Sequence, residues 1–261
     1  MKHLKIFIFS AFALISTVVL RTFQLIFLTD AKTGFFKDGM EGIGTVIMAI
    51  IIAVIAVSSL LVFVFKKESL NPTPSSSFFL GCAALFAGIA SLYEPFVNKV
   101  YLNSVPQLLI VLRLILIILT GLTFCWFGIS ILFGAKFKPA LSIIPIIAYV
   151  IRLMSSFICF TGMSNISENL YDVLMLISTL FFLLLFGKAV CGLTESTSHR
   201  KLFGFAVAAI LFSAASSIPC LIVYFSGNSA FVHIPVDSPI TGLFMAIFIS
   251  AYLVDICKKR T

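Results

Sequence analysis

Phe78–Pro95 reads FFLGCAALFAGIASLYEP, and whether this stretch crosses a membrane decides the fold. Its apolar part, Phe78–Leu92, falls short of the roughly 20 residues that a helix needs to cross a hydrocarbon core of about 30 Å. Glu94-Pro95 reads as its end, because proline cannot continue the hydrogen-bond ladder of a helix. The other candidate spans are Ile6–Leu28, Ile43–Phe65, Leu108–Phe133, Ala140–Phe160, Leu170–Phe186, Leu202–Phe225 and Ile240–Ile256. Positive charge settles the doubtful one, because lysine and arginine concentrate on the cytoplasmic side. With eight crossings the inner pieces hold twelve basic residues: Lys2, Lys5, Lys66, Lys67, Lys136, Lys138, Lys188, Arg200, Lys201, Lys258, Lys259 and Arg260. Only Lys32, Lys37 and Lys99 lie outside. If Phe78–Leu92 stayed on one side, every later loop would swap, leaving five basic residues inside and ten outside. Eight crossings follow, with both termini cytoplasmic.

Composition agrees. The chain is 61% hydrophobic and 11% charged, against about 45–50% and about 25% in soluble domains. The apolar residues come in spanning runs, which only helices satisfy, since a bilayer offers no water to an open backbone. We therefore expect an all-α polytopic transmembrane helix bundle, one membrane domain over residues 1–261. The basic start Met1–Lys5 and the long run after it, with no A-x-A site, read as an uncleaved signal anchor.

The net charge of +8 is not a nucleic-acid signature, because no basic stripe interleaved with aromatics is present. Acids fall mostly on the outer side (Asp30, Asp38, Glu41, Glu94, Glu168, Asp172, Asp237), with Glu68, Glu195 and Asp255 inside. Topology alone accounts for the basic balance. Six cysteines, Cys82, Cys125, Cys159, Cys191, Cys220 and Cys257, lie in or beside apolar runs without CxxC or Cys/His spacing, so they read as packing residues. No cofactor is called for.

Small residues mark two interior helices. The third span has Ala83, Ala84, Ala87, Gly88 and Ser91, and the seventh has Ala209, Ser213 and Ser217 at four-residue spacing. Such faces let backbones approach closely. Pro145 and Pro219 are expected to bend their helices. The segment Asn71–Ser77 reads as an inner linker, and the outer loop Thr29–Gly42 as an interfacial anchor around Phe35-Phe36. Val18-Val19-Leu20-Arg21 resembles Tyr149-Val150-Ile151-Arg152, a hint of a parallel four-plus-four repeat.

The chemistry-bearing residues are three intramembrane arginines, Arg21, Arg113 and Arg152. An arginine near the bilayer centre costs at least about 2.5–3.5 kcal/mol on insertion scales, so each demands a partner or a purpose. At about 1.5 Å per residue, all three fall roughly 9–12 Å below the outer surface. Thr17, Arg21 and Gln24 share a helix face, as do Arg152, Ser155 and Ser156, and Arg113 with Thr120. These faces are expected to turn into the bundle. Two readings follow. Guanidinium forks bind carboxylate and phosphate, which points to an outward-facing pocket for a small anionic solute. Alternatively the arginines pair with protein acids, Asp172 and Glu168 first, Glu94 and Asp30 behind them. Pairing is the simpler of the two.

Catalysis is the least favoured class. His3, His199 and His233 lie outside the spans, no HExxH occurs, and Tyr171-Asp172 is not joined by a GxGD sequence. The chain is read as a non-enzyme. No Asp or Glu lies near the centre of any span, which disfavours proton coupling through a central carboxylate.

The stretches Leu20-Arg21-Thr22-Phe23-Gln24 through Thr33-Gly34-Phe35-Phe36, and Asn165-Ile166-Ser167-Glu168-Asn169-Leu170-Tyr171-Asp172, resemble multi-pass membrane proteins of low-GC Gram-positive anaerobes. The resemblance implies a bacterial plasma membrane and supplies no activity. The expected function is a small-solute, anionic transporter or permease component; the rival is a sensor or scaffold that acts through a protein partner.

Overall fold

A computed structural model describes residues 2–65, 77–97, 106–160, 167–193, 196–228, 231–232 and 237–258. The inner linker 71–76, Lys99 and the side chains of the three histidines lie outside the described residues. Among the described residues eight long helices follow one another: α1 (Lys2–Phe23), α2 (Glu41–Phe65), α3 (Phe78–Val97), α4 (Gln107–Phe133), α5 (Ile143–Phe160), α6 (Ser167–Val190), α7 (Ser196–Phe225) and α8 (Asp237–Lys258). All eight are long and apolar enough to cross a membrane. The fold is an all-α bundle, and the chain is a multi-pass membrane protein.

The decisive stretch forms a full helix, and here the expected boundary needs correction. α3 does not stop at Leu92; it runs through Glu94 and Pro95 to Val97. Proline removes one backbone donor and crowds the preceding turn, but near a helix C-terminus few residues remain to be disturbed. A buried face, Ala84, Ala87, Ser91 and Glu94, runs unbroken along α3. Glu94 is therefore a membrane-level residue. α6 likewise begins at Ser167, not Leu170, which places Glu168 inside its first turn.

α3 and α4 form the closest helix pair. Their glycines meet in an antiparallel cross: a Cβ on Gly88 would sit 2.8 Å from the Gly121 carbonyl, and one on Gly128 2.8 Å from the Gly81 carbonyl. Each helix thus carries two glycines seven residues apart, a spacing that keeps one face toward a lightly supercoiled partner. α7 lies at the centre, touching α1, α2, α6 and α8, and Ala206, Ala209, Ser213, Ala215 and Ser217 are wholly buried. The small-residue reading of these two helices holds. The repeat does not extend to packing: α3 packs on α8, but α4 and α7, their exchange partners, share no comparable contact among the described residues.

The interior has two levels. Its inner half is aromatic: Phe186 meets Phe127 at 5.4 Å, Phe248 at 5.6 Å and Tyr252 at 5.1 Å between ring centroids, all edge to face. This geometry aligns the ring quadrupoles favourably. The outer half is polar, with Tyr149 and Tyr171 buried beside its arginines.

The outer loop between α1 and α2 is a folded feature. α1 ends in a π-helical turn, Gln24–Leu28, after which Thr29 pairs with Phe36 in an isolated antiparallel bridge. The Asp30 carboxylate accepts from the Lys32 backbone at 3.2 Å and the Thr33 hydroxyl at 3.0 Å. These donors hold its carboxyl below the usual range. That support is present above the unfolded carboxylate pKa and fades as pH falls through the lowered value. Phe36 packs against bare Gly44, where a Cβ would meet the ring at 2.6 Å. Gly34 turns the loop at φ 74°. Gly34→Ala is expected to lower stability by about 1 kcal/mol, since only glycine adopts that backbone without cost. Thermal melting of the purified variant checks this.

Candidate functional site

The polar outer half is organised around Glu94. Its Oε1 accepts from Arg113 Nη2 at 3.3 Å, and its Oε2 accepts from Arg152 Nη1 at 3.1 Å. The Thr241 hydroxyl donates to the same Oε2 at 3.1 Å. One carboxylate on α3 thus gathers cations from α4 and α5 and a hydroxyl from α8. The glycine cross aligns this, because α3 and α4 approach closely enough for Glu94 and Arg113 to meet near their outer ends.

Arg152 continues the network. Its Nη2 donates at 2.9 Å to the Ser238 hydroxyl, which donates at 2.9 Å to Asp172 Oδ1. Ser238 and Thr241 lie one turn apart at the start of α8, so a single helix face reaches both carboxylates. Tyr149, one turn before Arg152, offers its ring 5.8 Å from the guanidinium carbon. A cavity of about 10 Å³ adjoins Glu94 and Arg152 and is lined by Ser91, Ile117, Thr120, Ala148 and Tyr149 as well. That is about the room of one water molecule.

Arg21 stands apart, in a second cluster. It donates through Nη1 to the Gln24 carbonyl oxygen and, at 3.1 Å, to the Ser167 hydroxyl. Its guanidinium carbon lies 4.4 Å over the Tyr171 ring, within cation–π range. The Gln24 amide donates at 2.9 Å to the Gly44 carbonyl, tying the π turn of α1 to α2.

All six residues singled out from the sequence, Arg21, Gln24, Arg113, Arg152, Glu168 and Asp172, are buried, and so are Thr17, Thr120, Ser155 and Ser156 beside them. The polar faces turn inward as expected. The single layer of three arginines divides into a pair, Arg113 with Arg152, and a separate Arg21. Glu94, placed behind Asp172 and Glu168 in the sequence reading, bridges the pair, and Asp172 reaches Arg152 through Ser238. Asp30 stays with its own loop. Glu94 was underrated because Pro95 reads as a stop, and Ser238 and Thr241 lack charge to draw notice. The signal for Glu94 was the i, i+3, i+7, i+10 run of Ala84, Ala87, Ser91 and Glu94.

Comparison with protein-family models, with curated proteins and with solved structures finds no match for the chain.

Proposed function

We infer that this chain is a small-solute permease component of a bacterial plasma membrane, and that Arg113 and Arg152 form the solute site. The observation that supports this most is the convergence of two guanidiniums and a hydroxyl on one carboxylate beside a water-sized cavity. Donors so arranged fit a solute carboxylate as well as they fit Glu94, because guanidinium forks recognise that planar group whatever molecule carries it. In this reading Glu94 occupies the site at rest, and an anionic solute from the outer side takes its place. The aromatic inner half is the closed side of the same state. The bacterial plasma membrane is the setting implied by the sequence resemblance.

Uptake of labelled acetate into proteoliposomes tests it. Wild-type protein is expected to take up acetate, and Arg113→Gln with Arg152→Gln to lose at least about tenfold, since one charged hydrogen bond contributes about 1.5–3 kcal/mol. Equal flux from empty liposomes and from folded wild-type protein would end the permease reading. A rival reading, a non-transporting sensor or scaffold, draws on one observation: among the described residues the three buried arginines share their end of the bundle with three buried acids, Glu94, Glu168 and Asp172, while a fourth, Asp255, is buried near the far end of α8. Neutralisation within that end needs no ligand. Copurification of one fixed protein partner, without flux, would favour that rival.

A further inference from the structure

We propose that the Glu94 site takes up one small monocarboxylate together with one proton, and that the displaced Glu94 carboxylate is the proton acceptor. This deepens the permease reading and rests on it.

Size comes first. The space beside Glu94 and Arg152 holds about one water molecule, so a ligand has that room together with what the Glu94 carboxylate vacates. Ile117 and Ala148 supply the apolar lining of that space, and Ser91 and Thr120 the hydroxyls. A ligand with a carboxylate head and at most a methyl or similar group behind it fits; a citrate-sized anion does not.

Charge comes second. Among the described residues, the charged groups around Glu94 are Arg113 from α4, Arg152 from α5 and Asp172 from α6. Tyr149 is a titratable neighbour from α5, and α8 contributes the hydroxyls of Thr241 and, through Arg152, Ser238. In this set two cations face two carboxylates. A second anion brought onto the guanidiniums strips Glu94 of its two cationic donors, leaving it the Thr241 hydroxyl and a buried charge without a cation beside it. Burial of such a charge is costly, and the group neutralises instead. The cavity cannot admit a hydrated cation, whereas a proton needs no room. The balance is one anion and one proton entering from the outer side, the proton forming the O–H of Glu94, with no net change in buried charge. Asp172 accepts from the Ser238 hydroxyl and not from a guanidinium that the ligand would take. The carboxylate concerned lies in the outer third of its span, so the absence of acids at mid-membrane does not bear on it.

The test follows proton uptake with a pH-indicator dye in weakly buffered solution near pH 7, as acetate is added to the purified full-length protein. Wild type is expected to take up about one proton per acetate bound, with affinity weakening about tenfold for each pH unit on the alkaline side, as linkage requires. Glu94→Ala has no carboxylate to displace and is expected to bind acetate with no proton uptake and no such pH slope. Acetate binding to wild type without proton uptake overturns this inference and leaves the carboxylate site standing. The same uptake in Glu94→Ala overturns the assignment of the acceptor. No acetate binding by folded wild-type protein overturns the permease reading and this inference together.

Discussion

Glu94→Ala is expected to lose about 3–5 kcal/mol of stability, the cost of removing one partner from a buried ion pair and leaving the other charge behind. Two cations are left behind here. Arg113 and Arg152 would each forfeit a carboxylate oxygen, at 3.3 Å and 3.1 Å, inside a bundle where both are largely buried. Thr241 would lose its acceptor as well. Thermal melting in detergent is the measurement, and at about 2–4 °C per kcal/mol for chains of roughly this size the fall is on the order of 10 °C. Arg113→Gln removes one cation of a pair and leaves Glu94 held by Arg152 and Thr241, so its loss is smaller. Removing Arg113 together with Glu94 should recover part of the Glu94→Ala loss, because Arg152 and Asp172 then remain as one cation and one carboxylate joined through Ser238, and the penalty lies in the unmatched charge. A Glu94→Ala melt equal to that of wild type would mean that the network does not exist in the folded protein.

Gly88→Leu is the second large effect. A Cβ at Gly88 would lie 2.6 Å from Cys125 Sγ and 2.8 Å from both the Cys125 nitrogen and the Gly121 carbonyl oxygen. Two of those three atoms belong to the facing backbone and cannot rotate aside. The helices must separate, and with them the contact between Glu94 and Arg113. A loss of about 3 kcal/mol is expected, the upper end of the usual overpacking range. Gly42→Ala serves as its control, since nothing lies within 4 Å of a Cβ there and its change should stay within about 0.5 kcal/mol. Equal melting of the two variants would contradict the glycine cross.

The architecture was legible because a bilayer restricts the choices so strongly: long apolar runs must be helices, and lysines sort their ends. Even the short third span came out correctly from charge alone. Its end did not, because proline is read locally as a stop, while the buried face of α3 continues past it. That one boundary carried Glu94 from a rim residue to the centre of the charge network. Burial of Arg21, Arg113 and Arg152 was legible from their cost in hydrocarbon. Their partition into two clusters was not, since it depends on α3, α5 and α8 meeting across long stretches of chain. Ser238 and Thr241 were invisible for the same reason: a hydroxyl at a span end becomes informative only once its neighbour is known.

Chemical rescue of Glu94→Ala by acetate tests the central claim most directly. The substitution leaves two guanidiniums facing the space of one carboxylate, and free acetate supplies that carboxylate without its tether. Melting temperature is followed against acetate concentration, with chloride at equal ionic strength as the control. Acetate is expected to raise the melting temperature of Glu94→Ala far more than chloride does, by about 2.7 kcal/mol equivalent once acetate reaches about one hundred times its dissociation constant. The rise should vanish when Arg113→Gln and Arg152→Gln are added. Equal responses to acetate and chloride in folded Glu94→Ala protein would contradict the claim that this site accepts a carboxylate.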